Sequence, residues 1–162
     1  MNPSVIEFKE KKFLGKKMLM QMADNKTFEL WRSFMPLRKE IKNLVSNDLY
    51  SIQIFDSKID FKDFTQDTFF EKWAAAEVVD FDGDITDFDT LIIESGLYAV
   101  YPFVGTPDKF QSAFLDFYQN WLLKSDYELD NRPHFQVMGE KYKNNDPTSE
   151  EEIWVPIKLK TH

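Results

Sequence analysis

The same order of predicted secondary-structure elements occurs twice along this chain of 162 residues. In each half, alternating apolar residues predict strands on both sides of one helix, whose apolar residues recur at three- and four-residue spacing. The first helix is predicted to follow Asn25 and to continue to Val45, and the second to begin at Pro107. The predicted strands lie within residues 5–22 (two strands joined near Glu10) and at 50–55, 69–81, 91–93, 97–104, 133–139 and 152–158.

This order predicts a single α+β domain over residues 1–162, built from two β-α-β-β pseudo-repeats at about 1–82 and 88–160. A half of about 80 residues buries too little apolar surface to be stable alone. Pairing of the halves predicts one curved, eight-stranded antiparallel sheet with both helices on one face. A cleft between two such halves is a natural place for a ligand.

Composition favours a small apolar ligand over a nucleic acid. The chain contains 16 Phe, 6 Tyr and 4 Trp, and so many aromatic residues fill a large core or line a pocket for flat molecules. The formal net charge of −8 argues against direct nucleic-acid binding, because such a surface needs basic residues to neutralise phosphates. We therefore expect a hydrophobic aromatic small molecule as the partner.

Several other classes of site are disfavoured. The absence of cysteine excludes disulfides and thiolate chemistry, and His134 and His162 alone cannot form a zinc site. No glycine-rich phosphate loop is present, so we expect no cofactor. The chain has no signal-peptide pattern and no apolar run of about 20 residues, which predicts a cytoplasmic protein without membrane contact.

Strand parity selects candidate site residues in the second half. The apolar row at residues 153, 155 and 157 is predicted to lie under the helices, so Trp154 faces the other way, into the cleft. In the preceding strand Phe135 is expected in the core beneath the helices. This assignment places Gln136 and Met138 beside Trp154.

The first half offers a similar arrangement. Trp73, Ala75 and Glu77 share one face of their strand, and the alanines of this strand leave room for a flat ligand. A buried carboxylate among small apolar residues is a candidate for a shifted pKa, and Glu77 is the candidate catalytic base. The structural alternative for Glu77 is a salt bridge to a lysine or simple exposure.

The remaining candidate ligand-binding residues are aromatic. Trp31 and Trp121 are large indoles at helix edges that could cover a cleft, and Tyr101 and Phe103 share parity on the strand before the second helix. The acidic run at residues 150–152 is expected to be a solvated turn.

The second half resembles the GyrI-like effector-binding family. The resemblance rests on the order of several motifs, and a looser similarity extends to residues 26–31 and 72–75 of the first half. In the family, a glutamate commonly occupies the position of Gln136, so the resemblance implies that Glu77 or another acid takes that role here. The matching motifs lie at residues 96–101, 121–129, 132–135, 146–147 and 152–158.

The resemblance implies a duplicated fold of the SHS2 type with a hydrophobic cleft. Members of the family bind drug-like, often cationic aromatic compounds, either as sensor domains of bacterial transcription regulators or as stand-alone proteins. We therefore expect a stand-alone protein that binds lipophilic, drug-like molecules, cations among them. Two alternatives stay open: a hydrolase of reactive cyclopropane-type electrophiles that uses a cleft carboxylate, and a gyrase-inhibitor-like module with a protein partner.

Overall fold

The fold consists of an antiparallel sheet and two helices in a computed structural model that describes residues 2–58, 60 and 63–161. A 3₁₀ turn over Pro107–Lys109 precedes the second helix, and a π-helical turn over Tyr118–Leu122 follows it. The strands are β1 (Ser4–Phe8), β2 (Lys11–Met20), β3 (Leu49–Ile54), β4 (Phe70–Val78), β5 (Asp89–Ile93), β6 (Gly96–Val104), β7 (Tyr127–Leu129), β8 (His134–Met138) and β9 (Glu150–Leu159), and the helices are α1 (Thr27–Arg38) and α2 (Phe110–Phe117).

The strand order is β1-β6-β9-β8-β3-β4-β2-β5, and β7 pairs with β9 outside this path. All strand pairs are antiparallel. The predicted α+β fold with one antiparallel sheet is therefore confirmed, with β7 as a ninth strand beyond the eight expected. The acidic run at residues 150–152 is not a turn as expected, because it forms the beginning of β9.

Both helices pack on one face of the sheet, which we call the helix face. Cross-strand partners share a face, and one such row runs through Ala74, Ser51, Gln136 and Ile153. Helix α1 packs its buried residues in the cluster that contains Ala74, and α2 packs Phe117 in the cluster that contains Ile153. The two helices belong to separate hydrophobic clusters, which leaves the strip of sheet between them to other residues.

Helix α1 is shorter than the sequence predicted. It ends at Arg38, two residues after Pro36, and does not continue to Val45. Proline cannot donate a backbone hydrogen bond and crowds the preceding turn, so its position in the last turn agrees with an early end. Ile41 and Leu44 nevertheless pack against the α1 cluster from the segment that follows.

The opposite face, which we call the core face, curls tightly around an aromatic core. Phe8 lies on edge strand β1, three strands away from Phe135 on β8, a separation of about 14 Å in a flat sheet. Their ring centroids are only 5.5 Å apart. Phe8 also contacts Tyr98 and Trp154, at 5.4 and 5.9 Å. The edge strand must therefore fold over the middle of the sheet.

A continuous two-stranded ribbon produces this curl. In the pairing of β1 with β6, Phe8 lies opposite Gly96, and in the pairing of β2 with β5, Lys11 lies opposite Ile93. The register is unchanged across the gap between the two ladders. The backbone of Glu10 donates to the Ser95 side chain at 3.0 Å within that gap. The two strand pairs are thus one bent ribbon that joins opposite edges of the sheet.

Gly15 of β2 allows the neighbouring strand β4 to approach closely. A Cβ atom at this position would lie 2.9 Å from the Ala75 Cβ and would collide with the carbonyl oxygen of Ala74. The small residues Gly15 and Ala75 face each other directly in the β2–β4 ladder. A side chain at position 15 would therefore push β2 away from β4.

We predict that Phe135→Ala destabilises the protein by about 3–5 kcal/mol, as expected when a large aromatic residue is removed from a core. Phe135 is 1% exposed and contacts four aromatic rings. The matched control is Phe28→Ala, since Phe28 is 77% exposed and should change the free energy of unfolding by less than about 0.5 kcal/mol. Urea unfolding measures both, and equal effects would contradict the filled core face.

Candidate functional site

Trp73 and Trp154 lie on the core face, as strand parity predicted, but this face is filled. Trp73 is 2% exposed and belongs to the same hydrophobic cluster as Phe135. Trp154 is half-buried and stacks on Phe135 at 5.2 Å with an interplanar angle of 16°. Their predicted role as the walls of an open cleft is therefore wrong, because the curled sheet packs its own aromatic residues against them.

The two indoles share one local motif. The Trp73 indole N–H donates to Glu71 at 2.6 Å, and the Trp154 indole N–H is 3.4 Å from Glu152. In each case the acceptor lies two residues earlier and therefore on the same face of the strand. These bonds satisfy the polar atoms of two side chains that pack in the core.

Glu77 also lies on the core face, opposite Phe13 in the β2–β4 ladder. Its carboxylate accepts a 3.1 Å hydrogen bond from Lys11 Nζ, and its side chain is 14% exposed. Burial of the Tyr50 hydroxyl, together with the nearby Glu77 charge, raises the pKa of that tyrosine. The salt-bridge alternative considered for Glu77 is therefore the one that the geometry supports.

Gln136 and Met138 lie on the helix face, so their predicted position beside Trp154 is wrong. In the ladder between β8 and β9, Phe135 is opposite Trp154 and Gln136 is opposite Ile153. Buried residues lie on both faces of this strand, and the parity of its apolar residues was assigned to the wrong side. Met138 is 9% exposed on the same face as Gln136.

The other four aromatic candidates also lie on the helix face. Tyr101 and Phe103 are buried in the α2 cluster, where Tyr101 stacks on Phe117 at 5.1 Å. Trp121, in the π-helical turn, stacks on Tyr127 at 6.2 Å with an interplanar angle of 9°. Trp31 packs at the edge of the α1 cluster. Six of the nine candidates thus share the helix face, whereas Trp73, Glu77 and Trp154 lie on the other.

A strip of polar side chains crosses the helix face between the two helical clusters. The Gln53 amide donates to the Ser51 hydroxyl at 3.1 Å and to Gln136 Oε1 at 3.0 Å. Buried polar groups are costly unless they are hydrogen-bonded. This network therefore satisfies the polar side chains on the helix face of β3 and β8. Lys72 and Glu151 lie on the same face without joining this network. We call the whole set the polar strip; its members are Ser51, Gln53, Lys72, Gln136 and Glu151, which come from strands β3, β4, β8 and β9.

The two charged members of the strip have shifted pKa values. Burial lowers the pKa of Lys72 to about 8, against a smaller opposing effect of the Glu151 carboxylate. Burial raises the pKa of Glu151 to about 7, and the Lys72 charge opposes that rise. The two residues lie on the same face of the sheet, on strands β4 and β9, with β3 and β8 between them. Sequence analysis missed both residues, because neither the acidic run nor a lone lysine in a strand indicates where the chain is buried.

A cavity of about 480 Å³ opens on the helix face at the His134 end of the sheet. Its size is typical of small-molecule sites. Part of its wall comes from the π-helical turn, a distortion that is often found at functional sites. Its apolar and aromatic lining residues are Phe55, Tyr118, Leu122, Leu123, Tyr127 and Leu129.

The charged groups around the cavity favour a cationic ligand. Lys160 Nζ donates to the backbone carbonyls of Leu123 and Ser125, at 3.2 and 2.6 Å. Arg132 donates to Asp130 at 2.7 Å and stacks over the Tyr98 ring. Both positive groups are thus engaged within the protein. The carboxylates of the lining belong to Asp56, Asp60, Glu128 and Asp130.

His134 forms part of the cavity wall in its neutral form. It is 9% exposed, and its ring lies edge-on to Phe55 at 5.1 Å. Burial, reinforced by the positive charge of Arg132, lowers the pKa of His134 to about 3. The imidazole therefore adds no positive charge to the cavity at neutral pH.

Residues 2–58, 60 and 63–161 contain neither a candidate metal site nor a candidate membrane-spanning helix. No group of three or more His, Cys, Asp or Glu side chains in these ranges could hold a metal ion. No helix within the same ranges is long and apolar enough to cross a membrane.

The chain belongs to the GyrI-like family of small-molecule binding domains, whose family model matches residues 1–158. This assignment confirms the resemblance seen in the sequence. Among curated proteins, none matches the chain.

Solved structures with the same fold include proteins of different kinds. SAV2435 bound to tetraphenylphosphonium has a TM-score of 0.63 at 17% identity, covering 98% of this chain and 94% of that one. The C-terminal domain of EcmrR has a TM-score of 0.71 at 15% identity and covers 98% of each chain. A hydrolase encoded by lin2189 from Listeria innocua has a TM-score of 0.63 at 14% identity, covering 96% and 91%. At these identities the similarity shows the fold.

We predict that His134 stabilises the protein less as the pH falls below about 6.5. The unfolded chain protonates this histidine near its ordinary pKa, whereas the folded state keeps it neutral down to about pH 3. The contribution of His134 to the free energy of unfolding is complete above pH 6.5. It falls by about 1.4 kcal/mol per pH unit from there towards pH 3.

The test compares urea unfolding of the wild type and His134→Gln at pH 7, 6 and 5. The raised pKa of Glu151 has the opposite effect on stability between pH 4.5 and 7, so only the difference between the two proteins isolates His134. The wild type should lose more stability than the variant at each step. Parallel pH profiles would contradict a buried neutral imidazole.

Proposed function

We propose that this protein binds lipophilic aromatic cations in the groove between α1 and α2, with the cavity beside His134 as the main site. The observation that supports this most is the contrast between the two faces of the sheet. The core face is filled by its own aromatic residues, whereas the helix face carries an open cavity of about 480 Å³. A ligand thus finds unoccupied volume on the helix face.

The chemistry of the lining supports the ligand class. Aromatic rings of Phe55, Tyr118 and Tyr127 offer flat surfaces for stacking and for cation–π contacts, worth about 0.5–2 kcal/mol each. Four carboxylates and two positive groups line the wall; Asp130 pairs with Arg132, and Glu128 lies 3.9 Å from Lys158. SAV2435, which has the same fold, was solved with tetraphenylphosphonium, a lipophilic aromatic cation.

Binding is a better proposal than hydrolysis by Glu77. A general base must reach the bound substrate or a water molecule beside it. Glu77 is paired with Lys11 on the core face, behind the sheet from the cavity. A hydrolase would therefore need a different base on the helix face.

We predict that Tyr118→Ala weakens binding of tetraphenylphosphonium about tenfold, because the substitution removes an aromatic wall of the cavity. The matched control is Tyr142→Ala, another half-buried tyrosine that lies outside the cavity lining. Isothermal titration calorimetry of the two variants and the wild type gives the affinities. Equal affinities for both variants would place the cation elsewhere on the protein.

We also predict that Glu128→Gln weakens binding of tetraphenylphosphonium several-fold, and that the loss shrinks at high salt, since it removes one carboxylate of the wall. Glu94→Gln is the control, because Glu94 is exposed in the bend of the ribbon. Titrations at about 0.05 and 0.5 M salt measure the effect. An unchanged affinity in Glu128→Gln would show that this carboxylate does not contribute to cation binding.

A further inference from the structure

We propose that Lys72 is a covalent capture site for aldehydes: a ligand carbonyl that enters the groove condenses with the Lys72 amine to form an imine. The inference shares one premise with the proposed function, namely that small molecules enter the groove on the helix face. It adds a class of ligand, carbonyl compounds with an aromatic or apolar body, that the cation site does not require.

Lys72 lies close to the cavity along one row of the sheet. It pairs with Gln53, which pairs in turn with His134 in the cavity wall. Two strand spacings, about 10 Å, separate the Lys72 backbone from that wall. A ligand seated in the cavity can therefore extend along the polar strip to reach the amine.

The amine of Lys72 is not held by a fixed partner. Among the residues that the structure describes, none accepts a hydrogen bond or forms a close ion pair with Lys72 Nζ, and Glu151 on β9 acts on it only electrostatically. Lys72 is half-buried, which leaves part of its side chain accessible from the helix face. The α1 cluster on the same face, which includes Leu30, Phe34 and Phe70, is apolar.

Its environment also favours the reactive form of the amine. The pKa of about 8 leaves roughly two orders of magnitude more free amine at neutral pH than an ordinary lysine has. The charged group that acts on the amine is Glu151 from β9, whose negative charge partly opposes the shift. Burial of the ammonium is the main cause of the shift.

Glu151 is suited to move the protons of the reaction. The amine nitrogen bonds to the carbonyl carbon, and the oxygen takes a proton from the Glu151 carboxyl to give a carbinolamine. The nitrogen releases one proton back to that carboxylate. A second proton transfer lets the oxygen depart as water while the C=N bond forms, so amine and aldehyde yield imine and water without a redox step. A carboxyl pKa of about 7 makes both directions of transfer accessible.

The experiment treats the full chain with benzaldehyde and cyanoborohydride at pH 7.4, which reduces any imine to a stable amine, and maps the labelled lysines by mass spectrometry. Lys72 should be labelled at least tenfold faster than the exposed Lys39. Lys72→Met and Lys72→Arg should both lose the fast labelling, and Lys39→Met should keep it. The arginine variant retains the positive charge and serves if the methionine variant fails to fold.

Glu151→Gln should slow the labelling of Lys72 several-fold without changing that of Lys39. Labelling of Lys72 no faster than that of Lys39 would overturn the capture proposal. If tetraphenylphosphonium still binds in that case, the proposed cation site stands. Fast labelling of Lys72 in a protein that does not bind the cation would support capture and reject the cation site.

Discussion

The rest of the structure depends on the contact between the edge strand β1 and the central strands β8 and β9 on the core face. Phe8 of β1 reaches Phe135 and Trp154 because the sheet curls towards this face, and curling brings fourteen apolar side chains together. Such close packing leaves no room for a ligand there. The cavity lies on the helix face instead, where α1 and α2 belong to two separate clusters.

Local patterns were sufficient to predict most strands and helices, but not which face of the sheet the side chains of the central strands occupy. Most strands, the start of the second helix and the antiparallel sheet follow from spacing and turn chemistry. Along β8, however, Phe135 and Met138 fall on opposite faces, and both are buried. Alternation identifies the core side only when the other side is solvated. The error at Gln136 and Met138 therefore arose on a strand that carries buried side chains on both of its faces.

The polar strip was beyond sequence analysis for a related reason. Lys72 and Glu151 are ordinary surface residues by type, and more than 70 positions separate them in the chain. Only the order of the strands brings β4 and β9 to the two sides of the central pair β3 and β8. The strip thus places opposite charges on the floor of a groove whose rim is acidic, so a bound molecule would meet different electrostatic surroundings at its two ends.

The bent ribbon also constrains how the chain can fold during synthesis. Ser4 pairs with Val100, and Lys11 pairs with Ile93, so β1 and one edge of β2 stay without partners until well over half of the chain has left the ribosome. Contacts of such large sequence separation slow folding and tie distant segments into one cooperative unit. A fragment ending before β6 would expose β1 as an unpaired edge, open to pairing with another chain.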